Sequence, residues 1–354
     1  MTTTLPLESR KQAAFEHARA GRFGEAAELL LSVLKEVPQD IGALLLLGDV
    51  QHAGGRTQDA SRAYSGALQA IQLAGGQVAP GIRQGVQRAQ ARLAEYAQGY
   101  EAFIEGELPK AGRSKRFDQS VDILLGKSGI YLQQPTKYYF PGLPQIQFYD
   151  TAEFNWVAGL EAKTADIKRE LMGVLEDHAA FRPYLERHDS QPNVKSHKLV
   201  GNDDWSAFYL WKDGERVEEN CERCPVTAAA FENIPLDRLP GQAPSVLFSL
   251  LKPGAHIPPH HGLINTRLIC HLPVLVPGPA WLRVGSETHY WQEGKVCIFD
   301  DSIEHEAKND GNEIRVVLLF DIWRPELSEQ ERTEIAKFLG AISTFSGEKV
   351  VTGN

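Results

Sequence analysis

Cysteine is scarce, at four in 354 residues, which excludes a scaffold built on disulfides. Cys221 and Cys224 form a C-x-x-C pair, but Cys270 and Cys297 stand singly in strand-like runs. Convergence of all four on zinc is therefore not expected, and they are read as structural thiols. No stretch approaches the ~20 apolar residues that a membrane span needs. The first residues also lack the positive region and apolar core of a leader, so a cytoplasmic address and no membrane partner are expected. Positive charge is short too: 37 Lys and Arg face 46 Asp and Glu, a net charge of −9. That balance argues against nucleic acid, whose non-specific binding depends on cations neutralising phosphates. What is present is ordinary globular material, 42% hydrophobic and 23% charged, in a chain long enough for two domains.

The first hundred residues contain an internal echo. Gly21, Arg22 and Ala26 recur as Gly55, Arg56 and Ala60, a period of 34 residues. This is the tetratricopeptide (TPR) period, and each unit reads as two amphipathic helices joined at a glycine turn. Ala26, Leu29, Leu30, Val33 and Leu34 keep helical spacing, as do Ala60, Ala63, Tyr64 and Ala67. Pro38 closes the first unit, and Gly48 stands where adjacent helices can approach closely. Two repeats bury little surface alone. The stretch 82–105, with Ile82, Val86, Ala89, Leu93, Tyr96, Tyr100 and Phe103, is expected to dock on them as a further helix.

The expected organisation is an α+β multidomain chain: TPR-like helical repeats over 8–106, a linker over 107–130 and a second domain over 131–340. The linker assignment rests on the basic, polar run 110–116. In the second domain, 151–187 has helical spacing up to Pro183, and a helix or two there would cover a sheet face. Beyond Trp205 the pattern changes to short apolar runs (208–211, 245–251, 268–276, 281–284, 295–299 and 315–322) separated by turn residues. Such spacing argues for a sandwich, barrel or jelly roll rather than a βαβ sheet.

Six of the eleven histidines fall between His256 and His305. His260 lies in a turn-like stretch after Pro258 and Pro259, and His305 lies in an acidic turn that leads to a strand carrying Arg315. Two neutral imidazoles suit a ferrous ion that keeps open coordination positions. Arg315 offers the planar, permanent cation that anchors a dicarboxylate. The usual facial arrangement adds a carboxylate, yet two residues after His260 stands Gly262, which has no side chain to coordinate.

Residues from about 130 to 330 resemble the aspartyl/asparaginyl β-hydroxylase family of Fe(II)- and 2-oxoglutarate-dependent oxygenases. The resemblance is carried by Pro259 with His260 and Gly262, by Asn265 with Arg267, by His271, and by Glu293 with Lys295. The segment 299–306, Arg315, Asp321 with Trp323, Asp204 with Trp205 and Ser206, and Phe248 with Ser249 complete it. Some members carry tetratricopeptide repeats ahead of the oxygenase.

The resemblance implies a double-stranded β-helix (jelly-roll) oxygenase domain with Fe(II) held by His260 and His305 alone, a glycine standing where other oxygenases have a carboxylate. It implies that Asp301 or water completes the coordination, that Ser249 and Arg315 hold the distal carboxylate of 2-oxoglutarate, and that His271 contacts its metal-proximal end. Trp205 and Arg267 then contact substrate or the edge of the cosubstrate. The implied reaction uses O2 to hydroxylate the β-carbon of an aspartyl or asparaginyl residue, in a peptide or protein that the helical groove favours. Alternatives are a free or carrier-bound amino acid, an acyl chain, or a repeat-based interaction module with a vestigial oxygenase. Ile269 replaces a family arginine and Ala207 a polar residue, so a different substrate preference is expected.

Overall fold

A computed structural model describes residues 5–177, 179–184, 202–347 and 349–350. The chain divides into two units, Met1–Ser128 and Gly129–Asn354. Among the described residues no helix is long and apolar enough to cross a membrane.

In the first unit, α1 (Leu7–Arg19) pairs with α2 (Phe23–Glu36), and α3 (Ile41–Ala53) pairs with α4 (Thr57–Leu73). Both hairpins turn at a glycine with positive φ, Gly21 at 76° and Gly55 at 74°, a backbone state that glycine reaches without steric cost. The 34-residue echo is thus a repeated helical hairpin. Ala26 and Ala60 are fully buried at equivalent points. Gly48 meets the face of Tyr64 so closely that any Cβ would overlap the ring. The expected third element is α5 (Arg83–Glu107), which packs on α3 and α4. Only its first half does so: Val86 and Ala89 are buried, while Tyr100 and Phe103, expected in the interface, are 49% and 61% exposed. The expected linker also differs, because it contains α6 (Lys115–Leu124), capped by Ser114, whose hydroxyl accepts from the Phe117 amide.

The second unit begins with a strap that includes β1 (Phe148–Tyr149), then α7 (Val157–Glu161) and α8 (Thr164–Leu175). The helical reading of 151–187 stops short there. Arg182–Pro183 form a short strand, β2, against β3 (Trp205–Lys212), and 185–187 lie outside the described residues. After β4 (Glu215–Arg216), α9 (Glu218–Arg223) and α10 (Pro225–Ala230) come eight strands. These are β5 (Val246–Leu251), β6 (His256–His260), β7 (Arg267–Leu275), β8 (Ala280–Val284), β9 (Glu287–Tyr290), β10 (Cys297–Phe299), β11 (His305–Asn309) and β12 (Arg315–Trp323). Helix α11 (Glu329–Ser346) follows, opened by a capping box of Ser328 and Glu331.

The strands form two antiparallel sheets. The larger runs β1-β10-β7-β12-β5-β3-β2, with β4 beside β3, and the smaller runs β6-β11-β8-β9. From β5 onward the chain passes back and forth between them, which is a jelly roll, and the chain as described is α+β with helices ahead of it. Period-two alternation sorts the side chains. Leu268, Cys270, Leu272, Leu318 and Phe320 pack with Ile167 and Leu171 beneath α8. Ile269, Leu251 and Val317 pack with Leu282 and Val284 of the smaller sheet. Arg267, His271, Ser249 and Arg315 share that second parity.

Two segments read as turns are strands. Pro258 and Pro259 lie in β6, an edge strand that pairs only with β11, where missing N–H groups cost no ladder bond. His305 opens β11 rather than ending a turn.

Candidate functional site

The pairing of β6 with β11 places His305 directly opposite His260. The two rings stand 4.0 Å apart between centroids, tilted by 50°. Each Nδ1 lies near the carbonyl two residues earlier, Pro258 at 2.8 Å for His260 and Ile303 at 3.0 Å for His305. A carbonyl can only accept, so both Nδ1 atoms carry a hydrogen, and Nε2 is the atom that bears the lone pair when the ring is neutral. Burial, reinforced by His260, holds His305 well below the usual imidazole range and so favours the neutral form.

Gly262 adjoins this pair. Its N–H donates to the Asp301 carbonyl at 2.7 Å, and a Cβ on it would overlap the Asp301 carboxylate. Asp301 thus occupies the space that a side chain at 262 would take. Burial pushes its carboxyl up to about 7 against the pull of Arg267, whose Nη2 lies 3.6 Å away. Oδ1 of Asp301 has no hydrogen-bond partner among the described residues. Arg267 also donates to Asp321 at 3.0 Å, so its charge is already shared between two buried carboxylates.

Arg315 differs. Its side chain is buried, donates to the Ser249 carbonyl at 3.2 Å and lies 4.4 Å from the centre of the Trp291 ring. Among the described residues no carboxylate pairs with it and its Nε has no partner; burial pushes its pKa down to about 9, leaving the guanidinium charged at neutral pH. Ser249 stands beside it on β5, with its hydroxyl accepting from the Trp205 indole at 3.1 Å. Trp205 in turn stacks on Tyr184 at 4.1 Å. His271 links the two ends of the site: its ring is 5.1 Å from Phe299, which is 5.7 Å from His305, and 5.7 Å from Trp291. Burial and then Arg315 hold His271 well below the usual imidazole range, and among the described residues its Nδ1 has no hydrogen-bond partner.

Ring contacts and hydrogen bonds thus connect His260, His305, His271, Arg315, Ser249 and Trp205 as successive neighbours, while Asp301 and Arg267 pair beside Gly262. Sequence reading did not single out Trp291 or Tyr184. Each looks like an ordinary core aromatic, and only the fold sets one against Arg315 and the other against Trp205. Among the described residues no three histidines, cysteines or carboxylates gather as a metal-binding set.

Residues 161–325 match the family model described as aspartyl/asparaginyl beta-hydroxylase. The human protein named aspartyl/asparaginyl beta-hydroxylase is 39% identical over 133 residues, 37% of this chain and 17% of that one. An ornithine lipid ester-linked acyl 2-hydroxylase of Rhizobium tropici is 36% identical over 192 residues, 53% of this chain and 64% of that one. Aspartate beta-hydroxylase domain-containing protein 2 of Xenopus tropicalis is 29% identical over 250 residues, 68% of this chain and 62% of that one. The chain thus spans less than two thirds of the length of each. The matched span contains both imidazoles, Gly262 and both buried arginines, and the chain carries a domain of the aspartyl/asparaginyl β-hydroxylase family.

Proposed function

We propose that the second unit is an Fe(II)- and 2-oxoglutarate-dependent dioxygenase that hydroxylates a C–H bond. The observation that carries this reading is the facing pair His260 and His305, with ring centroids 4.0 Å apart and each Nδ1 hydrogen held by a backbone carbonyl. The donor set fits a ferrous ion, since neutral imidazoles ligate it and outer hydrogen bonds fix their tautomer. The orphaned atoms Asp301 Oδ1, His271 Nδ1 and Arg315 Nε fit bound solvent and a dicarboxylate. Iron and 2-oxoglutarate, with O2, supply the oxidising power to insert oxygen into an unactivated C–H bond.

His260 and His305 hold the ion from the β6–β11 pair. Asp301 orients solvent beside it and fills the place where a ligand at 262 would stand. Arg315, with Ser249, takes the distal carboxylate of 2-oxoglutarate; a buried cation lacking a protein counter-ion gains most from an incoming anion. His271, kept neutral by burial, lines the proximal end without adding charge. Trp205 and Arg267 border the substrate side. The target we favour is the β-carbon of an aspartyl or asparaginyl residue in a peptide or protein, with the helical hairpins acting as tetratricopeptide repeats that offer a groove for it. A second reading, hydroxylation of an acyl chain, is favoured by Arg267: its charge is spent on Asp321 and Asp301, which weakens its grip on an acidic substrate. The similarity to the Rhizobium acyl hydroxylase points the same way.

The test is anaerobic addition of Fe(II) and 2-oxoglutarate while recording the visible charge-transfer absorption of the chelated complex. The band should form with the unaltered chain and be lost in His260→Ala and His305→Ala. Its absence from folded, unaltered protein would favour an interaction module with a vestigial oxygenase. Succinate release measured with an acidic peptide against an acyl substrate separates the two target readings.

A further inference from the structure

The loop that follows His260 and the loop that precedes His305 are tied to each other away from the rings. Arg324, fully buried just beyond β12, donates to the Asp300 carboxylate at 3.1 Å and to the Asn265 carbonyl at 3.2 Å. Asp300 lies five residues before His305, and Asn265 five after His260. Gln133, on the strap, spans the same two loops: its amide N–H donates to Asp300 at 2.7 Å, and its amide oxygen accepts from Asn265 at 2.9 Å. Backbone bonds continue the tie, from Gln134 N–H to the Ser302 carbonyl at 2.7 Å and from Thr136 N–H to the Gly262 carbonyl at 3.0 Å.

We propose that Gln133, Asn265, Asp300 and Arg324 are positioning residues that set the spacing of His260 and His305 by locking both loops to one strap. The physical reason is that a short edge strand with two prolines cannot hold its own end in register, since β6 pairs on one side only. A buried, charge-assisted network with several donors is stiff and has one geometry. This inference rests on the metal reading, and its test separates the two.

The probe is Co(II) alone, titrated by its visible d–d absorption into the full chain and into Gln133→Met and Arg324→Lys. Amide exchange is measured on the same samples. Both variants should bind Co(II) about 10-fold more weakly, the lower end of the loss when a ligand's own hydrogen-bond partner is removed, because Gln133 and Arg324 act on the ligands through the loops. Exchange at Gly262 and Gln134 should quicken, while the β5–β12 ladder keeps its protection. Wild-type Co(II) affinity in Gln133→Met, even with a lowered melting temperature, would overturn the positioning role, as would loss of ladder protection along with affinity. Gln133→Met, the milder change, decides the matter if Arg324→Lys does not fold. Failure of the unaltered chain to bind Co(II), or equal binding by His305→Ala, would overturn the metal reading itself.

Discussion

Arg315 and Asp237 are two buried charges that the fold treats in opposite ways. Arg315 has no carboxylate partner among the described residues, so only the Ser249 carbonyl and the Trp291 ring offset its desolvation until an anion arrives. Arg315→Met should therefore raise the melting temperature of the ligand-free protein while weakening 2-oxoglutarate binding by about 2–5 kcal/mol, the loss expected when one partner of a buried charge pair is removed. Calorimetry and ligand titration check the two signs separately. Asp237 is fully buried with neither oxygen hydrogen-bonded among the described residues, and burial, then Asp321, pushes its carboxyl up to about 7. The folded state therefore keeps a proton that the unfolded chain has already released above its ordinary value near 4. The unfolded state binds fewer protons across that window, so this group's contribution to stability is lost as pH rises from about 4 to about 7. Asp237→Asn should remove that slope, and denaturant titrations at pH 5 and 8 should show the variant gaining on the parent at the higher pH. At this scale the sequence offered candidates where a residue type is rare for its context, as with His260, His305 and Arg315. It was mute on Arg324 and Gln133, because a buried arginine or glutamine is written in the same letters as an exposed one.

At the scale of elements, two glycines in the helical unit should respond oppositely to the same change. Gly48 in α3 has the Tyr64 ring where a Cβ would go, whereas Gly66 in α4 has only Leu44 at an ordinary 3.5 Å. Gly48→Ala should destabilise this unit by about 1–3 kcal/mol through overpacking. Gly66→Ala should stabilise it by up to about 1 kcal/mol through helix propensity alone. Thermal unfolding followed by helical circular dichroism distinguishes them. The long strands were legible because apolar residues alternate around them: the runs at 245–251, 268–276 and 315–322 coincide with β5, β7 and β12 within a residue or two. The edge strand β6 was not legible, since two prolines signal a turn and only its place at the border of the smaller sheet makes them tolerable. The inactive half of α5 was hidden for a related reason. Its apolar spacing continues through Tyr100 and Phe103, and only the extent of the hairpins beneath shows where packing stops.

At the scale of the whole molecule, the two units have separate cores, one built on Ala26, Leu30 and Tyr64 and the other on Phe208, Phe248 and Phe320. Heating the full chain should give two calorimetric transitions, and Co(II) at 100 times its dissociation constant should stabilise only the second unit, by about 2.7 kcal/mol. A single transition, or an equal shift of both, would contradict the separation. Periodicity and spacing by themselves determined that there is a helical repeat followed by a β domain, and offered two imidazoles and one arginine as candidates for its chemistry. These are local properties, written in the alternation of side chains and in short motifs. Only the tertiary structure decided that His260 faces His305, that Arg267 is neutralised while Arg315 is not, and that Arg324 binds both loops. Each of those depends on strand register between segments tens of residues apart, and register follows from the packing of a whole sheet rather than from any one stretch of chain.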